Sequence, residues 1–183
     1  MKIQTRIVLA LVSAIAAGCA SVEAPAPVDV PVNLRPEAAE SLTFPLVAVG
    51  VQIYECRARR NAPGYEWAFV APEAELFDHA HVRVGRHYAG PHWESLDGSK
   101  VIGTTRQRAD APTADAIPWL LLTATSDGPD GRFSKVTSVQ RVKTVGGVAP
   151  VSGCSEASVG KQSRVNYTAE YNLFVRDRER VAR

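Results

Sequence analysis

The sequence predicts an all-β fold, a single-domain antiparallel barrel or sandwich behind a proline-rich N-terminal tether. Apolar residues alternate with small or polar ones over several short runs, and Gly, Pro and Asp clusters separate those runs. No stretch sustains the 3.6-residue period of an amphipathic helix. The 183 residues are about one domain's worth, and 45% hydrophobic with 22% charged residues is ordinary globular composition.

Residues 1–18 read as an export signal. Lys2 and Arg6 supply a positive start, and residues 7–17 (IVLALVSAIAA) form an apolar run too short to span a bilayer. Ala16-Ala17-Gly18 then precede Cys19 directly. Small residues ending in Gly-Cys resemble the lipobox of bacterial lipoproteins, which implies a diacylglyceryl group on the Cys19 thiol and acylation of the new amine. Two or more acyl chains give stable membrane attachment where one is marginal. Ala20 and Ser21 follow without an acidic residue, which resembles lipoproteins sent on to the outer membrane. The expected location is therefore its periplasmic face or the cell surface.

Residues 19–45 form the expected tether, because Pro25, Pro27, Pro31, Pro36 and Pro45 favour extended backbone. One helical turn around residues 35–41 is compatible with Pro36 at its start. The β domain is expected over residues 46–175. Val47, Val49, Val51 and Ile53 alternate with Ala48, Gly50, Gln52 and Tyr54, giving the first strand. Residues 66–71 (EWAFVA) give a second, closed by Pro72. Further strands are expected over residues 81–89 and 100–107, the latter after an Asp97-Gly98 turn. Residues 117–125 (IPWLLLTAT) form a nearly continuous apolar run, as in a strand buried on both faces, with Pro118 at its start. Residues 127–131 (DGPDG) turn the chain into a Val/Thr-rich strand over 133–145. Val165, Tyr167, Ala169, Tyr171, Leu173 and Val175 give the clearest alternation. Residues 176–183 read as a solvated charged tail.

Lys+Arg is 21 against Asp+Glu 19. Loss of Lys2 and Arg6 with the signal leaves 19 basic and 19 acidic side chains. No nucleic-acid partner is expected from that balance. Of three cysteines, Cys19 takes the lipid, and Cys56 and Cys154 are predicted to form a structural disulfide in an oxidising compartment. Neither sits in a C-x-x-C spacing.

Chemistry-bearing side chains concentrate in residues 84–99 (VGRHYAGPHWESLDGS). Together with residues 50–56 (GVQIYEC), 71–76 (APEAEL), 116–122 (AIPWLLL) and 140–154, this segment resembles a bacterial and fungal family of unknown function, DUF3455. The likeness runs from about Leu42 to Phe174, and it implies β architecture and secretion without a mechanism. Some fungal relatives carry a malate dehydrogenase label, but no G-x-G-x-x-G opens a helix after a strand here.

The candidate ligand or catalytic residues are His87, Tyr88, Trp93, Glu94, Asp97 and Ser99. A reversal at Gly90-Pro91 would bring His87 toward Glu94 or Asp97, whereas turn support and a plain Asp97-Gly98 hairpin explain the same residues structurally. His79 and His81 would share one face of a strand and, with Asp78 or His87, form a metal site. A lone H-x-H is weak evidence, and no cofactor is expected. G-x-S-x-G, H-E-x-x-H and P-loop motifs are all missing. Trp67, Trp93 and Trp119 are candidate walls for a small-molecule pocket. The leading expectation is a non-catalytic, envelope-bound domain for a small molecule or envelope partner. Its alternatives are a hydrolase or isomerase using His87 with Asp97 or Glu94, and a structural surface lipoprotein.

Overall fold

A computed structural model describes residues 29–177. The export signal, Cys19 and the first part of the tether lie outside them, as do the last six residues. Eight antiparallel strands follow one another around a closed barrel: β1 (Glu40–Ala58), β2 (Tyr65–Phe77), β3 (Arg83–Tyr88), β4 (His92–Ser95), β5 (Lys100–Ala109), β6 (Trp119–Ser126), β7 (Val136–Gly146) and β8 (Gln162–Arg176). β1 closes the ring by pairing with β8, from Glu40 opposite Arg176 to Glu55 opposite Gln162. The choice between barrel and sandwich is thus decided for the barrel.

Several boundaries differ from the sequence expectation. β1 begins at Glu40, so residues 40–45 belong to the sheet and not to the tether. The expected helical turn over 35–41 is instead a short 3₁₀ turn at Val32–Leu34. Pro72 does not end β2, which continues to Phe77. Pro72 lies beyond the stretch paired to β3, which starts at Ala74, so its missing N–H costs no bond on that side. β4 is a strand beyond those the sequence predicts, and it pairs back on β3 with Trp93 opposite His87. Arg176 ends β8 and is not part of a free tail.

The inner face of the barrel carries the main core, including Leu46, Ala48, Leu76, Trp93, Leu122, Phe133, Tyr171 and Leu173. On β1 the small residues point inward and the valines outward, and Val49 is half exposed. The inward aromatic rings explain this choice. A Cβ on Gly103 would lie 2.7 Å from the Trp93 ring, so large neighbours require small ones.

A second cluster lies outside the sheet, where Leu34 and Val30 cover Trp119, Leu121 and Val142. This is why residues 117–125 are apolar on both faces: Leu122 faces the barrel interior, and Leu121 lies under the N-terminal segment. Gln140 Nε2 donates to Leu34 O at 2.8 Å and fastens that segment. Beside it, Thr137 and Ser138 donate to the buried Glu40 carboxylate. Burial pushes the Glu40 carboxyl up, but these bonds and one from the Glu37 amide outweigh it and hold it below the usual carboxylate range. The predicted Cys56–Cys154 disulfide is present and ties the end of β1 to the loop before β8.

Candidate functional site

The two ends of the barrel differ. At one end Phe44 packs at a tilt against Phe133 with ring centroids 5.5 Å apart, and Leu76, Val101 and Val136 fill the space between strands. At the other end the short β3–β4 hairpin stops below its neighbours. β2 before Ala74 has no ladder partner on the β3 side, and β5 beyond Ile102 has none on the β4 side. This gap in the wall opens into a cavity of about 640 Å³, within the range of small-molecule sites. Tyr54, Phe69, Pro72, Pro91, Leu120 and Leu122 give it apolar walls.

His87 and Trp93 form its floor. Their rings stack at 4.3 Å, and Tyr171 lies 5.0 Å from His87 and 5.3 Å from Trp93. His87 is 2% exposed. Desolvation pushes its pKa down to about 3, and the positive charge of Arg141 acts in the same direction. The ring is therefore neutral near pH 7. Nδ1 lies 2.7 Å from His92 O. A carbonyl accepts only, so Nδ1 carries the proton and donates, leaving Nε2 as an acceptor.

Three cavity-lining side chains bear buried polar atoms without a well-formed hydrogen bond: Trp93 Nε1 meets no protein partner, and Gln52 Nε2 and Tyr171 Oη have only the Tyr167 hydroxyl beside them. The Tyr167 hydroxyl lies against the Tyr171 hydroxyl and the Gln52 amide, which both act on it, and burial pushes its pKa far up, so it stays protonated. Arg141 lies directly across from Tyr171 in the β7–β8 ladder. Its Nε and Nη2 both donate to Pro118 O, at 3.0 and 2.8 Å.

The six candidate residues are distributed over three places. His87 and Trp93 line the cavity. Tyr88 and Glu94 sit on the outer surface, where the Tyr88 hydroxyl donates to Glu94 at 2.6 Å and Arg86 Nη2 donates to both Glu94 oxygens. The Tyr88 bond, followed by that from Arg86, holds the Glu94 carboxyl low against its desolvation. Asp97 and Ser99 lie at the closed end. Ser99 Oγ donates to Asp97 at 2.6 Å, the Arg132 amide donates to Asp97 at 2.8 Å, and the Phe133 amide donates to Ser99 Oγ at 3.0 Å. The Ser99 hydroxyl, then the Arg132 and Ser99 amides, bring Asp97 down to about 2. The chain does reverse at Gly90-Pro91, but His87 then faces inward while neighbouring Glu94 faces out. The His87–Asp97 and His87–Glu94 pairings are not assembled, because alternation along β4 and the length of the barrel separate their groups.

His79 and His81 lie in the loop between β2 and β3 and do not share a strand face. Asp78 organises that loop by accepting from the Ala80 and Val82 amides. No group of three potential metal ligands occurs among the described residues. Of the three tryptophans, only Trp93 lines the cavity. Trp67 donates to Ser152 O, and Trp119 packs under Leu34.

Sequence reasoning missed Gln52, Arg141 and Tyr171 as cavity residues. Gln52 shared the alternating set with Ala48 and Gly50, and Arg141 interrupted a Val/Thr-rich strand. Both were visible as polar residues where a barrel's inward positions should be apolar.

Neither a curated protein nor a solved structure matches the chain. A family described as a protein of unknown function, DUF3455, matches residues 36–175, which span all eight strands except the last residue of β8. The chain belongs to the DUF3455 family.

Proposed function

We propose that this protein is a non-catalytic binding protein that receives a small molecule in the open end of its barrel. The observation carrying this reading is a cavity of about 640 Å³ whose buried Trp93 N–H has no protein partner and whose Gln52 and Tyr171 donors have only the Tyr167 hydroxyl beside them. Each such donor costs about 1–3 kcal/mol unless something accepts its proton, and a ligand oxygen would recover that cost. Catalytic use of His87 would require a partner, and Glu94 and Asp97 are engaged elsewhere.

The reading includes attachment at the cell envelope through a lipid on Cys19, supported by the charged, apolar and Gly-Cys sequence of the first nineteen residues. No helix among the described residues is long and apolar enough to cross a membrane. The barrel's outer surface carries ion pairs, among them Arg86–Glu94, Lys143–Glu170 and Arg164–Glu73. Such a surface suits a barrel beside a membrane better than one facing lipid.

Native mass spectrometry of the full chain purified from its own envelope tests the binding reading. The expected result is an added small-molecule mass that disappears in Thr105→Trp, which fills the mouth. No added mass, or one unchanged by that substitution, would overturn it. For the anchor, Cys19→Ser is expected to move the protein from the membrane to the soluble fraction, and persistent membrane association would reject the lipid.

A further inference from the structure

The chemistry of the cavity narrows the class of its occupant, on the basis of the binding reading above. Seventeen residues line the cavity, and none is Asp, Glu or Lys, while two are arginines. Arg108 stands exposed at the rim, and Arg141 is half buried inside. Neither has a carboxylate partner among the described ion pairs, although ten such pairs engage other cations. The Pro118 carbonyl orients Arg141 without neutralising it. The positive charge acts on Tyr54, His87 and Tyr167, which places it within the barrel. A guanidinium taken partly out of water without a counter-charge is costly.

The donor groups beside it have matching polarity. Tyr171, across the strand pair from Arg141, offers a hydroxyl, Gln52 offers an amide N–H and Trp93 offers an indole N–H. Indole is a donor only. A cationic ligand would face Arg141 without a carboxylate to hold it, and a neutral apolar ligand would leave the donors unsatisfied. The apolar walls formed by Tyr54, Phe69, Pro91 and Leu122 require a hydrophobic body on the occupant.

We propose that the cavity binds a small amphipathic carboxylate, with the carboxylate on Arg141 and the donors beside it, and the apolar body against the walls below the gap between β2 and β5. One half-buried guanidinium matches one negative charge, and a carboxylate can take the N–H groups that Pro118 O leaves free, those on Nη1 and the second on Nη2.

The test uses three probes with the same body and different charge: 4-phenylbutyrate, 4-phenylbutyramide and 4-phenylbutylamine. Each is titrated into the full chain carrying Cys19→Ser, with tryptophan fluorescence and calorimetry as readouts. The acid is expected to bind about tenfold or more tighter than the amide, the size of effect expected of a charge-assisted hydrogen bond, with the amine weakest. Arg141→Gln is expected to abolish the preference for acid over amide, and Arg141→Lys, which keeps the charge, to retain part of it. Equal binding of acid and amide, or tightest binding of the amine, overturns the carboxylate assignment and leaves the binding reading standing. Absence of binding by all three at millimolar concentration overturns both. Should Arg141→Gln fail to fold, the ranking of the three probes on the unsubstituted cavity still decides the matter.

Discussion

Neutral, buried His87 makes stability depend on pH in a defined window. Its pKa is 6.5 in an unfolded chain and about 3 in the barrel, because desolvation opposes the charged ring. Between those values the unfolded chain binds a proton that the folded chain does not. Stability from this group is therefore complete above about pH 6.5 and is lost as pH falls toward 3. Each pH unit well inside the window is worth about 1.4 kcal/mol, so going from pH 7 to pH 5 costs about 2 kcal/mol. His87→Asn keeps an N–H near His92 O but cannot titrate. Urea unfolding of both proteins at pH 7 and pH 5, with the disulfide intact, isolates the effect, since the carboxylates and other histidines are common to both. Wild type is expected to lose about 2 kcal/mol more than His87→Asn over that interval. Equal losses would refute the argument, because they would mean that His87 titrates in the folded protein much as it does in the unfolded chain.

Three other outcomes are expected. Replacing both Cys56 and Cys154 with Ala opens a loop with a sequence separation of 98 and should cost up to about 4–5 kcal/mol in the chain-entropy account, read by denaturant unfolding. Leu34→Ala, at a fully buried position on the outer face of the barrel, should cost about 2–5 kcal/mol and speed protease cleavage before β1, while leaving the inner cavity unchanged. Asp97→Ala removes the acceptor of the Arg132 amide, so hydrogen exchange at that amide should accelerate by about tenfold with little effect on probe binding at the opposite end; altered binding there would contradict the separation of the two networks.

Much of the architecture was legible because period-two patterning is a local property. The β8 alternation from Val165 to Val175, the doubly apolar run over residues 117–125 and the Asp97-Gly98 turn each reflect the environment of a few adjacent residues. The β3–β4 hairpin was less legible. A four-residue strand carries too few alternations to be recognised, and only its pairing with β3 defines it. The inward face of β1 was also hidden. Valines ordinarily mark the core, but here Trp93, Tyr167 and Tyr171 fill the interior from elsewhere in the chain, and small residues must oppose them.

The sequence by itself determined the β class, the pairing of Cys56 with Cys154 and the small set of side chains with chemistry to offer. The β class and the chemical groups follow from residue type and near-neighbour spacing, and the disulfide from the count of cysteines left once Cys19 is set aside. Only the tertiary structure decided that the ladder closes into a barrel, because closure depends on β1 meeting β8 more than a hundred residues later. Tertiary structure also divided one sixteen-residue motif among three environments and assembled Gln52, His87, Trp93, Arg141 and Tyr171 from five strands around one cavity. Such a site has no local signature. Its residues share a location because alternate positions on every strand of a closed barrel point to the same interior.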